Sequence, residues 1–312
     1  MVHRHIHHIR KSFSLSHPWV LVLVAQLIWG ASAPITKLAL RDLTPGTFLF
    51  LRMFIASLLL LPLALRHRSH LTFHDQLFIL LSAGFGMYLN ILFFYRGIDL
   101  VPSINAPIIS SLGPLLLAFV ARAFLHEKLS RRHYIGLVIS FFGVLTITVL
   151  PELFASSNVL GITTGRDSIL SGNALLFLGT ILGILGTLCI RPIKHISAVL
   201  ITFWQCAITA TFSLHFALNE GVITQISHMG LYGVMGLMYA GVLSSVVAYT
   251  LYNQGLHLIS ASESSMLNYA APVAAMLVAV PLLGEYPTGW FAAGSLCIGV
   301  GILIGEHRSR RA

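Results

Sequence analysis

Arg52 is a lone cation inside an apolar run from 46 to 65. A charge within hydrocarbon is costly and is normally kept where it faces a cavity or a partner. Three chemistries suit it: an anion site for a substrate carboxylate, one arm of an outer gate, or a structural arginine. The last would snorkel outward or bind free carbonyls. Other polar groups recur within apolar runs at helical spacing. Ser245, Tyr249 and Asn253 share one face, as do Tyr88 and Tyr95. Aromatic and amide groups suit a pocket for a zwitterionic or aromatic metabolite. Tyr95 and Asn253 also lie near the ends of their runs, where interfacial anchoring accounts for them equally well. Gln26, Trp29, Asn90 and Gln205 are weaker members of the same set, and the large apolar area of Trp29 also suits a core position.

A second constellation is built on proline. Ser264, Asn268 and Pro272 fall at i, i+4 and i+8, and Ala106, Ser110 and Pro114 do the same earlier in the chain. A proline inside a helix frees the carbonyl four residues before it, here those of Ser110 and Asn268. Exposed backbone next to polar side chains lines a substrate path in one reading and is a kink satisfied by neighbouring helices in the other.

What is missing narrows the chemistry. There is no H-E-x-x-H, no G-x-S-x-G and no Walker sequence, so neither a zinc peptidase, a serine hydrolase nor a nucleotide-driven pump is expected. No catalytic residue, cofactor or metal site is assigned. His3, His5, His7 and His8 read as part of a basic tail. Cys189, Cys206 and Cys297 all fall in apolar runs and read as small core hydrophobes. None of the ten acidic residues lies in the middle of a run. Exchange or facilitated diffusion is therefore expected ahead of carboxylate-based proton antiport, and His215 leaves a proton role open.

The elements that must hold these groups follow from composition. Of 312 residues, 56% are hydrophobic and 9% charged, far below the ~25% charge of a soluble domain. Ten apolar runs are expected to span a bilayer: 18–40, 46–65, 76–97, 103–125, 134–150, 171–190, 198–218, 229–252, 261–283 and 289–305. Ala31-Ser32-Ala33 imitates a signal-peptide cleavage site, but the apolar pattern continues past it. The net charge of +9 sits in short loops and tails and sets orientation; nucleic acid is not an expected partner. With the N-terminus inside, fourteen Lys/Arg face the cytoplasm and four face outward, which satisfies the positive-inside rule. The domain reading is a basic tail (1–17), a first five-span unit (18–150), an external linker (151–170), a second five-span unit (171–306) and a basic tail (307–312).

Sliding the chain by 158 residues sets Gly97 on Gly255, Pro114 on Pro272, Glu127 on Glu285, Gly136 on Gly294 and Gly143 on Gly301 without a gap. A shift of 153 sets Gly30 on Gly183 and Arg52 on Gln205. Five spans per unit mean that the second copy enters the membrane inverted. The basic loop His126-Glu127-Lys128 is then inside and its counterpart Gly284-Glu285-Tyr286-Pro287, without Lys or Arg, outside. Inverted repeats are a recurring plan of secondary transporters, with the substrate near the midplane.

The chain resembles the EamA-type members of the drug/metabolite transporter superfamily. Trp29-Gly30, Arg52, and Pro114 before His126-Glu127 carry the resemblance, with Pro272 before Gly284-Glu285 in the second unit. His126 stands where the family usually has glycine. The resemblance implies an all-α integral membrane protein of ten helices in two inverted repeats, both termini cytoplasmic, in the inner (plasma) membrane. It also implies export or uptake of small metabolites, often amino acids, by alternating access; export is the expected direction, and zwitterionic or aromatic compounds are the cargo that the aromatic and amide groups suit. The expected partners are that metabolite and the bilayer, and a monomer suffices. The alternative is a membrane receptor or scaffold, or a flippase for a lipid-like substrate.

Overall fold

The computed structural model describes residues 18–67, 70–113, 115–116, 131–148, 150, 166–193, 195–256, 267 and 270–306. Among these residues there is no strand. The helices are α1 (Pro18–Ala39), α2 (Pro45–Arg66), α3 (Phe73–Leu81), α4 (Asn90–Leu100), α5 (Asn105–Ser110), α6 (Arg131–Thr148), α7 (Arg166–Ile190), α8 (Ala198–Asn219), α9 (Val222–Ser227), α10 (Leu231–Met238), α11 (Tyr249–Leu256), α12 (Ala270–Leu283) and α13 (Gly289–Glu306). A π-helical segment, π1 (Ser82–Leu89), joins α3 to α4, and a second, π2 (Tyr239–Ala248), joins α10 to α11. The 158-residue shift lays π1 inside π2.

Among the described residues, six helical stretches are long and apolar enough to cross a membrane: Trp19–Ala39, Pro45–Arg66, Phe73–Leu100, Ile169–Ile190, Ala198–Asn219 and Leu231–Tyr252. They coincide with six of the ten expected runs. Shorter apolar helices at Tyr134–Ile147, Ala270–Leu283 and Gly289–Gly301 fall where three more were expected. Of the fourth run, 103–125, Pro114 and the end from 117 onward lie outside the described residues, as do both tails.

Local chemistry explains where the helices begin. Thr44 has extended backbone at the N-cap of α2, and Pro45 follows, where its missing N–H costs nothing. The free Thr47 N–H is satisfied from another helix, donating to Glu220 Oε2 at 2.8 Å. At α3, Thr72 and Asp75 form a reciprocal capping box. Gly284 ends α12 at φ 67° and donates its N–H to Val280 O at 3.1 Å. That left-handed conformation favours glycine.

Packing follows a two-fold logic. Helix α2 lies along α8, and α6 along α13. Helix α1 packs on the α10–π2–α11 stretch, while α7 packs on α3–π1–α4. Between α6 and α13 the approach is set by glycine. A Cβ on Gly143 would sit 2.6 Å from Gly294 O, and one on Gly294 would sit 2.6 Å from Gly143 O. Gly301 meets Gly136 O in the reciprocal place. Small residues are what allow helices to pack this closely in a bilayer. The main core, including Phe48, Leu49, Met53, Leu92, Tyr95, Cys206 and Ala240, joins α2, α4, α8 and π2. Leu58, Phe142, Leu277, Leu296 and Leu303 are exposed on the outside of the bundle, as helices facing lipid require.

Candidate functional site

Arg52 occupies the contact between α2, α4 and π2, and is only 5% exposed. Its Nε donates to Ser245 Oγ at 2.8 Å and its Nη2 to Ser244 Oγ at 3.1 Å, while Nη1 donates to the Tyr95 hydroxyl. The guanidinium carbon also lies 5.9 Å from the centre of the Tyr95 ring. No carboxylate pairs with Arg52 among the described residues. A buried cation held only by hydroxyls keeps its full charge uncompensated, which distinguishes this centre from a structural ion pair.

An aromatic wall continues from the serine pair. Trp29 Nε1 donates to Ser244 O at 3.0 Å. Its ring lies 5.0 Å from Tyr249 and 5.0 Å from Tyr252, centre to centre. Edge-on and tilted contacts of this kind hold rings in fixed orientations. Thus Trp29 on α1 positions the same residue whose hydroxyl binds Arg52.

Gln205, the counterpart of Arg52 under the 153-residue shift, makes a related contact. Its Nε2 donates to Ser82 Oγ at 3.0 Å, so each of the paired residues meets a serine of a π segment in the other half of the chain. π segments replace i→i+4 bonding with i→i+5 and often mark functional sites.

Of the residues expected from sequence, Arg52, Ser245, Tyr249 and Trp29 come together. Gln26 is buried on α1. Tyr88 packs edge-on against Phe212, and Asn90 Nδ2 donates to Gly179 O at 2.6 Å. Those two therefore face α8 and α7 rather than Arg52. Ser110 is exposed. Pro272 is half-buried within α12. Pro114, Ser264 and Asn268 lie outside the described residues, as does the side chain of Asn253. Ser244 and Ser82 were not singled out by the sequence reading; each was one more hydroxyl in an apolar run, with no spacing to mark its partner on another helix.

One end of the bundle carries ties between the two halves of the chain. Lys37 Nζ lies 3.0 Å from Glu285 Oε1, and Lys37 also donates to Val101 O. Glu285 Oε2 accepts from both the N–H and the hydroxyl of Ser103, each at 2.7 Å. Asp42 Oδ2 accepts from the Gly233 N–H at 2.7 Å, and Glu220 gathers the N–H and hydroxyl of Thr47 and the Thr44 hydroxyl. At the opposite end, His195 Nε2 lies 3.3 Å from Asp75 Oδ1.

Comparison with known proteins resolves the family. The chain matches the EamA-like transporter family over residues 18–149 and again over 170–304. It belongs to that family. It is 26% identical over 290 residues to the uncharacterized transporter YetK of Bacillus subtilis (strain 168), covering 92% of this chain and 86% of YetK. It is 25% identical over 287 residues to the uncharacterized transporter YoaV of the same organism, covering 91% and 94% of the two chains. A solved crystal structure aligns at TM-score 0.63 and 17% identity over 94% of this chain and 97% of its own, a likeness of fold alone. As an EamA-like protein with six apolar spanning helices among its described residues, the chain is a multi-pass membrane transporter, not an enzyme.

Proposed function

We propose that this EamA-like protein is a secondary transporter of small metabolites, working by alternating access between two inverted five-helix units. In this reading both termini are cytoplasmic, the membrane is the plasma (inner) membrane and the direction is export. The cargo implied by the family is small metabolites, often amino acids, and the aromatic and amide groups suit zwitterionic or aromatic compounds. The observation that carries the reading is Arg52: a buried cation without a carboxylate partner among the described residues, held by hydroxyls from both halves of the chain. A group that costly to bury is explained when an arriving cargo supplies the missing charge. The reciprocal contacts between α6 and α13 support the inverted arrangement, because the 158-residue shift carries the Gly143–Gly294 contact onto Gly301–Gly136 and Ser140 meets its own counterpart Ile298. The ties at the Glu285 end support a state closed on the side that the Lys/Arg distribution assigns to the exterior.

The test is efflux from proteoliposomes loaded with a mixed metabolite pool and read by mass spectrometry, with and without a pH gradient. Selective, protein-dependent loss of a few solutes is the expected result, and the gradient arm reveals whether protons drive it. No protein-dependent loss of any solute from folded protein would sink the reading in favour of a receptor or a lipid flippase.

A further inference from the structure

The three bonds of Arg52 are not equivalent. Nε–H and Nη2–H lie on the same edge of the guanidinium, the edge that binds a carboxylate with two parallel hydrogen bonds. Here Ser245 Oγ and Ser244 Oγ occupy that edge at 2.8 and 3.1 Å. Two hydroxyls from adjacent residues of π2 thus stand where the two oxygens of a carboxylate would bind. Tyr95, on the same half of the chain as Arg52, holds Nη1 and leaves the fork free to change partners. Ser245 has a second bond of its own, donating to Ala240 O at 2.9 Å, so its hydroxyl keeps a partner when Arg52 turns to another acceptor.

Charge narrows the occupant further. Inside the spanning helices the buried residues include one charged side chain away from the ends, Arg52, and the next buried charge, Asp75, sits in the first turn of α3. Next to Arg52 the described wall consists of Ser244, Ser245, Tyr95, Tyr249, Trp29 and Cys206. It holds no carboxylate for an ammonium group. A zwitterion bound there leaves one net positive charge in a medium of low dielectric, whereas a monoanion leaves none.

We propose that the Nε/Nη2 edge of Arg52 is a carboxylate fork whose occupant is a monocarboxylate lacking a free ammonium group, with a planar or apolar body laid towards Trp29 and Tyr249. The cargo displaces the Ser244–Ser245 pair and, in doing so, releases the link that Arg52 makes between the two halves of the chain. This inference rests on the transporter reading above and, for that same site, replaces the amino acids implied by the family with carboxylates that carry no ammonium group. It also sets a condition on turnover: an unloaded fork must take the serines back, so exchange of one anion for another is faster than net release.

The test uses full-length protein reconstituted in liposomes, with counterflow of monocarboxylates from pyruvate to benzoate compared with L-phenylalanine and phenethylammonium. The expected result is exchange of the carboxylates, with phenylalanine at least ~10-fold slower and phenethylammonium not carried. Arg52→Lys keeps the charge and loses the fork, and is expected to lower carboxylate exchange about 10-fold in folded protein. Ser244→Ala removes one internal competitor, and the half-saturating carboxylate concentration is expected to fall several-fold; a merely structural serine would leave it unchanged or raise it. Carriage of phenylalanine or phenethylammonium as fast as the carboxylates overturns the proposal while leaving the transporter reading standing. So does transport from the mixed pool without any carboxylate. Folded protein that moves no solute at all overturns both.

Discussion

The Ser140 hydroxyl lies 3.3 Å from the Ile298 carbonyl oxygen, and the two residues stand 158 positions apart. That separation is the repeat offset, so a residue of the first unit touches its own counterpart in the second. Gly143 with Gly294 and Gly136 with Gly301 flank this contact on either side. A point where equivalent residues meet is where a two-fold axis relating the units would pass, and α6 and α13 cross there.

Gly143→Leu is expected to destabilise the protein by about 1–3 kcal/mol, because overpacking a filled contact forces backbone or rotamer shifts. Thermal unfolding in detergent measures it. Gly299→Leu is the control, since a Cβ at Gly299 meets nothing within 4 Å; equal loss in both variants would remove the close approach as the cause.

Arg52→Ala is expected to abolish most flux while the folded yield by size-exclusion chromatography is retained. The cation makes three hydrogen bonds and no ion pair among the described residues, so its removal costs the Tyr95 and Ser244 hydroxyls a donor, about 1–3 kcal/mol, rather than leaving a stranded countercharge. Normal flux in the folded variant would exclude Arg52 from the transport path.

How much of this was legible beforehand depends on the kind of signal. Arg52, Ser245 and Tyr249 stood out because a polar residue in an apolar run announces itself, and Gly284-Glu285 because a turn motif does. The partnership of Arg52 with Tyr95 and Ser244 did not, since nothing in one helix's spacing names a residue on another. Helical spacing also misled where the backbone is not α: π1 and π2 bond i→i+5, so faces counted at 3.6 residues per turn drift through them. Tyr88, within π1, shares a face with Tyr95 on that count, yet it packs against Phe212 of α8. In the sequence Lys37 is one of the four outward-facing cations and Glu285 a motif residue; their pairing requires the fold.

Glu285→Ala is expected to open the end of the bundle that carries it. The carboxylate serves Lys37 and both donors of Ser103, and losing such bonds costs the closed state about 1–3 kcal/mol, ~10-fold in population. The readout is labelling of a cysteine at Ala106, which is fully buried, by a membrane-impermeant thiol reagent, with Cys189, Cys206 and Cys297 replaced by alanine. Unchanged labelling would mean that the ion pair does not hold that end shut.

Orientation has a direct check. A cysteine at Tyr286, 72% exposed, is expected to react with an impermeant reagent on intact cells, and one at the exposed His67 only after lysis. The reverse pattern would invert the topology and place the Glu285 ties inside.

Arg52 and Gln205 hold matching places in the two units, yet one carries a full charge and the other none. The two proposed units are therefore unlike electrically at this matching place. Among the described buried side chains of the spanning helices, a transmembrane voltage works on Arg52, by about 2.3 kcal/mol per 100 mV if the charge crossed the whole field, and finds no counterpart charge at Gln205. In the proposed alternating-access cycle, the resting balance between the two orientations of the empty protein is then set partly by membrane potential, and a loaded, neutralised fork escapes that bias. Transient charge movements in capacitively coupled membranes, lost when a carboxylate saturates the protein, would register this asymmetry as a current.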